Sequence, residues 1–188
     1  MTAYPFFALF AAEGFARAAR RATLALERRR EPMMRMVVPA VLALAVLSSS
    51  IYQALHAHPW GLGAYGPIVG GAPGAASLGL NRSFWGYTTG AVVDYLNREV
   101  PNRGKVYIHD TAWPSWQMLL DDGRLRKDIR GVGSAAEADF AVYHHEMHMQ
   151  GEEYQAWVAF GTVAPDIVRG LDGVPVVMVY RRRGVSKL

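Results

Sequence analysis

Twenty consecutive residues, Met36 to Leu55, carry no charged side chain, and Arg17, Arg20, Arg21, Arg28, Arg29, Arg30 and Arg35 stand just before them. An apolar run of about 20 residues is what a helix needs to cross a bilayer core. Cationic flanks stay on the cytoplasmic side. The expected arrangement is a transmembrane helix over 36–57, with the basic segment in the cytoplasm and all that follows on the periplasmic or extracellular side of the cell (inner) membrane. Pro39 falls in the first turn, where a helix tolerates proline. Ser48, Ser49 and Ser50 can bond back to the helix backbone. Tyr52 and Trp60 suit the outer membrane–water boundary. The rival is a cleaved signal peptide read from Met33 or Met34, with Arg35 as a thin n-region and Val37–Leu47 as the apolar core. No clean small-x-small cleavage site follows, which favours the retained anchor.

Charge partitions the same way. Residues 1–35 hold seven Arg against Glu13, Glu27 and Glu31, whereas residues 36–188 hold 13 basic and 13 acidic side chains. The whole net charge of +4 therefore sits before the span. A nucleic-acid binder would display its excess on a folded face. Here the expected partner is membrane lipid with anionic headgroups, and not nucleic acid. The chain has no cysteine, which removes disulfides, thiolate nucleophiles and cysteine-type zinc sites together.

Four segments follow from texture. Residues 1–35 combine a partial apolar segment, Thr2 to Ala12, with a basic, helix-prone connection rich in Ala, Leu and Arg. Residues 36–57 are the span. Residues 58–82 are a Gly-rich loop or a set of short helical turns. Residues 83–188 alternate helix and strand. Ala91–Val100 reads as a helix with Thr88 and Thr89 as cap candidates. Lys105–His109 reads as a strand. Trp113–Asp122 reads as a helix capped by Asp110 or Thr111 and ended by Gly123. Asp128–Val132 and Phe140–Tyr143 read as strands, Glu152–Phe160 as a helix, and Val174–Tyr180 as the last strand. Strands separated by helices predict an α/β domain with a mainly parallel sheet and flanking helices.

Few motifs carry chemistry. Gly61-Leu62-Gly63-Ala64-Tyr65-Gly66 has the G-x-G-x-x-G spacing, but a dinucleotide fingerprint follows a strand and has an acid about 20 residues on. No Asp or Glu lies between Glu31 and Asp94, so no nucleotide cofactor is expected. His144-His145-Glu146-Met147-His148 is one residue short of the zinc-protease spacing. If the strand ran on, His144, Glu146 and His148 would share a face and form a candidate metal set, the basis of a small metal-dependent hydrolase. The plain alternative is a polar strand end. Asp121-Asp122 and Glu152-Glu153 read as solvated helix ends rather than an acid/base pair. No G-x-S-x-G elbow surrounds Ser115 or any other serine, so no catalytic residue is assigned. Trp85, Tyr87, Trp113 and Trp116 are candidates for stacking on sugar rings, with core packing as the alternative. Asn81-Arg82-Ser83 has the sequon form.

An ordered set of residues carries a resemblance. His58-Pro59, Tyr65 to Gly71, Gly74-Ala75-Ala76, Phe84-Trp85-Gly86 and Asp94-Tyr95-Leu96-Asn97 are similar to the extracytoplasmic tail of bacterial GT-C membrane glycosyltransferases. These are the enzymes related to protein O-mannosyltransferases and to the aminoarabinose transferases of lipid A. Ala138 to Val142 and Asp172-Gly173-Val174-Pro175 are similar too, and Ala3 to Ala12 looks like the end of a late membrane helix. The resemblance implies transfer of a sugar from a polyprenyl-phosphate carrier at the outer face of the membrane. It also implies a catalytic acid in a first extracytoplasmic loop, which has no counterpart here. Gly66-Pro67 stands where relatives tend to show Asn-Glu. The chain thus resembles a C-terminal fragment or truncated relative, not catalytic alone, working with a polyprenyl-phosphate-linked sugar or a membrane subunit that supplies the missing helices. The alternative is a single-span anchored binding or interaction domain.

Overall fold

The computed structural model describes residues 4–27 and 34–185, in two compact bodies that divide at His56 and Ala57. The first holds helix α1 (Tyr4–Glu27) and most of helix α2 (Met34–Ala57). The apolar start and the arginine run, expected as separate pieces, form one continuous helix through Gly14 as far as Glu27. Runs of Ala, Leu and Arg outweigh a single glycine in propensity, and Arg17 Nε donates to Glu13 Oε1 at 2.7 Å one turn back. The linking arginines Arg28 to Arg30 lie outside the described residues.

Helix α2 presents its large apolar side chains outward. Met36, Val41, Leu44, Leu47, Ile51 and Leu55 are all exposed. Among the described residues, it is the helix long and apolar enough to cross a membrane, over Met36–Ala57. Ser48 and Ser50 donate their hydroxyls to the carbonyls of Ala45 and Val46, so these polar groups need no water.

The second body begins with turns. Gly61–Gly63 and Pro67–Val69 form 3₁₀ turns, and Gly71–Ser77 forms helix α3. Beyond Ser83 come a 3₁₀ turn (Tyr87–Ala91), helix α4 (Val93–Glu99), strand β1 (Lys105–Ile108) and helix α5 (Trp113–Asp121). Strands β2 (Arg130–Val132) and β3 (Phe140–His144) follow, then helix α6 (Gln150–Phe160) and strands β4 (Ile167–Leu171) and β5 (Val174–Arg181). Helix α5 ends at Gly123 as its sequence predicts. Gly123 has φ +68°, its N–H reaches the Leu120 carbonyl, and Arg124 N–H reaches that of Leu119. That is the paired C-terminal bonding of a Schellman motif.

The sheet order is β2-β1-β3-β5-β4. β1 is parallel to β2 and β3, but β5 is antiparallel to both β3 and β4. The sheet is therefore mixed, not mainly parallel. Its antiparallel half follows from Asp172 and Gly173, with φ of +50° and +77°. Two consecutive positive φ values make the tight hairpin turn for which Asp-Gly is a favoured pair. Strand β4, which the sequence reading left out, is the outer strand of this hairpin. Val168 and Arg169 on it are exposed, as suits an edge.

The sheet separates two apolar layers. On one face Val106, Ile108, Phe140, Val142, Val177 and Val179 pack with Leu96 of α4 and with Trp116 and Leu119 of α5. On the other, Tyr107, Ala141, Tyr143 and Tyr180 pack with Ala156 and Phe160 of α6. Period-2 alternation in the strands sends neighbouring side chains to opposite layers. Arg181 ties the end of β5 to its surroundings, donating to Glu99 Oε2 at 2.9 Å and pairing with Asp166 at 2.6 Å.

Candidate functional site

β1 and β3 lie side by side and parallel, yet the chain leaves them in opposite directions. From β1 it turns into α5 on one face and on to β2; from β3 it turns into α6 on the other face and on to β4. Diverging connections open a crevice beyond the carboxyl ends of the two strands, the place where open α/β sheets bind ligands. A cavity of about 490 Å³ lies there, within the usual range for a small-molecule site. Asp110 and Trp113 line it from the β1 side, and His148, Glu152 and Gln155 from the β3 side, with His109 in its floor. Among the described residues lining it, none is Lys or Arg.

Beneath the crevice runs a buried chain of hydrogen bonds. Thr89 Oγ1 donates to the Gly86 carbonyl at 2.6 Å, so it accepts from His144 Nε2 at 2.9 Å. His144 Nδ1 then accepts from His109 Nε2 at 2.7 Å. His109 Nδ1 in turn accepts from the Thr111 hydroxyl at 2.9 Å. A neutral imidazole offers one donor and one acceptor, so a single direction of donation satisfies all four side chains. Burial pushes the pKa of both imidazoles down, most strongly for His144, where His109 beside it adds a smaller contribution. For His109, the carboxylates of Glu146 and Asp110 pull the other way.

Glu146 is 2% exposed and accepts from Gly86 N–H at 3.2 Å. Gly86 sits at φ +62°, and a Cβ there would collide with Ala112. Glycine thus allows the 3₁₀ turn to approach both α5 and the carboxylate. Thr88 and Thr89, expected as helix caps, serve this interior instead: Thr88 bonds Ser83 at 3.2 Å and Thr89 bonds His144.

The candidate metal set does not assemble. The strand ends at His144, so the two-residue periodicity that would align His144, Glu146 and His148 is lost. Both His144 nitrogens are engaged by Thr89 and His109, and His148 Nε2 is 3.9 Å from Glu146. Among the described residues, no group of three or more His, Cys, Asp or Glu is placed to hold a metal ion.

The four aromatic candidates go to three places. Trp113, 37% exposed, lines the crevice. Trp85 and Tyr87 line a separate groove of about 310 Å³ beside Met118 and Arg124. Trp116, 1% exposed, is core, and offers no open ring face to a ligand. The acid pairs also part. Glu152 and Glu153 do not end in solvent but accept from the hydroxyls of Tyr107 and Tyr180; burial, and after it these carboxylates, push both phenol pKa values up. Asp121 and Asp122 are exposed. The G-x-G-x-x-G run follows a helix rather than a strand, and Gly63 packs against the Arg82 carbonyl. Asn81 of the sequon accepts from Met147 N–H at 2.8 Å. Sequence reasoning missed His109 and Asp110 as site residues. Their position directly after a strand was the available clue.

Comparison with known protein families, with curated proteins and with solved structures finds no match for this chain.

Proposed function

We propose that this chain tethers a saccharide-binding α/β domain to the outer face of the cell membrane. In this reading it serves a glycosyltransferase that draws sugar from a polyprenyl-phosphate carrier. The observation that carries the saccharide reading is the crevice beyond β1 and β3, where the Trp113 ring stands among Asp110, Glu152 and Gln155. A flat aromatic ring takes the C–H face of a sugar, and carboxylates and amides take its hydroxyls. The uncharged helix Met36–Ala57 supports the tether, and the arginines before it support a cytoplasmic N-terminal side. The ordered resemblance to GT-C tails supports the enzyme context. The transfer chemistry itself is not assigned to residues of this chain; a catalytic acid comes from other membrane segments. The hydrolase reading is not carried forward, because His144 spends both nitrogens on protein partners.

The test uses the full chain in lipid nanodiscs, titrated with a panel of monosaccharides and with a short-chain polyprenyl-phosphate sugar while Trp113 is followed by indole NMR. A saturable shift of the Trp113 indole is expected, and Trp113→Ala, which removes that reporter, should lose the sugar binding that calorimetry detects in the parent chain. No shift with any sugar would overturn the saccharide reading. Equal binding of free and carrier-linked sugar would favour an anchored binding domain independent of a polyprenyl donor. A periplasm-active reporter fused after Leu188 is expected to be active, and activity only of a cytoplasmic reporter would reverse the proposed orientation.

A further inference from the structure

We propose that residues 58–81 are a lipid-facing segment that lies along the membrane–water interface, so that the domain contacts the bilayer surface directly as well as through its tether. This rests on the anchored reading. The partner is the boundary between headgroups and acyl chains, and three observations select it.

The first is charge. Residues 36–81 contain no Asp, Glu, Lys or Arg, whereas residues 82–188 contain all 26 of those that follow Arg35. The uncharged run therefore continues well past Ala57, where the spanning helix ends. Leu62 follows Ala57 by only five residues, at most about 18 Å of extended chain. A water-exposed connection has no reason to exclude charge over that length, and an interfacial one does.

The second is the outward placement of aliphatic side chains; Trp60, expected at the outer boundary, instead turns inward and joins the domain core at 8% exposure. The small residues Ala72 and Ala75 are buried, 7% and 1% exposed, and Ala72 joins the domain core. The large aliphatic ones face outward: Leu62 at 58%, Ile68 fully exposed, Leu78 at 66% and Leu80 at 37%. Exposed single leucines are ordinary, but several large aliphatic side chains exposed within one charge-free segment are the signature of a surface that meets something apolar.

The third is the backbone. Gly70, Gly71, Gly74, Leu78 and Leu80 donate their N–H groups to the carbonyls of Pro67, Gly66, Gly70, Gly74 and Ala75. Internal pairing of this kind lets a polypeptide approach hydrocarbon without leaving backbone groups unsatisfied.

The chain's lack of cysteine makes the test direct. Single variants Leu44→Cys, Ile68→Cys, Leu78→Cys and Arg169→Cys of the full chain are spin-labelled and reconstituted into phosphatidylcholine–phosphatidylglycerol vesicles. Collision with oxygen, which partitions into lipid, is compared with collision with a water-soluble nickel chelate. Labels at 44, 68 and 78 are expected to favour oxygen, and the label at 169 to favour nickel. Nickel-dominated collision at 68 and 78, with oxygen-dominated collision at 44, would overturn the interfacial segment while leaving the tether intact. Shielding of 68 and 78 from both reagents would overturn it in favour of a protein partner. Nickel access at 44 would remove the tether itself, and the interfacial segment with it.

Discussion

His109 Nε2 and His144 Nδ1 meet at 2.7 Å across the carboxyl ends of two parallel strands. The contact joins the floor of the crevice to the buried 3₁₀ turn that carries Thr89. It works only while both rings are neutral and share one direction of donation, so it couples the integrity of this region to protonation.

Acid should therefore loosen the fold in a defined window. His109, His144 and His145 all have pKa values pushed below the ordinary 6.5, chiefly by burial. The unfolded chain then binds more protons below pH 6.5, and the stability these groups confer is present above that pH and lost as pH falls beneath it. Each contributes a slope of at most about 1.4 kcal/mol per pH unit. Urea unfolding of the detergent-solubilised chain should show a falling midpoint between pH 7 and pH 5, with a shallower fall in His144→Phe. Asp128 acts lower. Arg126 holds its carboxyl at about 2, against 3.8 unperturbed, so its contribution is lost only as pH drops from near 4 toward 2.

Gly86→Ala should destabilise the domain by about 2–3 kcal/mol, because a positive φ and a collision with Ala112 act together. The measurement is the thermal midpoint of the solubilised chain. Gly90→Ala, four residues away, is the comparison. A Cβ there meets its nearest neighbour, the Arg124 guanidinium, at 3.6 Å, and little change is expected.

Trp113 and Trp116 should separate binding from folding. Trp116→Ala removes a fully buried indole from the core and should cost about 3–5 kcal/mol. Trp113→Ala should cost far less stability while abolishing saccharide binding measured by calorimetry. Paired urea titrations and ligand titrations check both halves.

Gly173→Ala should cost about 1 kcal/mol by forcing a side chain into the left-handed region at φ +77°. Asp172→Asn should be nearly neutral, since Asn-Gly suits the same turn. Hydrogen exchange should show the loss concentrated in the β4–β5 pair.

Much of the fold was legible because it is local. The charge-free run, the close of α5 at Gly123 and the apolar alternation of β3 and β5 each depend on a few consecutive residues. The β4–β5 hairpin was legible in principle from Asp172-Gly173, but Ile167 to Leu171 has burial only toward its ends, too weak a pattern to announce a strand. Without it, alternating helices and strands pointed to a parallel sheet, and the antiparallel half was missed.

The candidate site was scarcely legible. His109 and His144 are 35 residues apart, and Thr89 is 55 from His144, and no local periodicity links them. Their meeting depends on which strands pair and which face each crossover covers, and those choices come from burial of the whole sheet. The same packing sent Trp116 inward and left Trp113 at the crevice, though both lie on one short helix. Chain chemistry alone was enough to mark an apolar span, its basic flank and the main helices and strands of the domain behind it. Which polar side chains converge, and where a ligand finds room, was settled only when two parallel strands sent their connections to opposite faces.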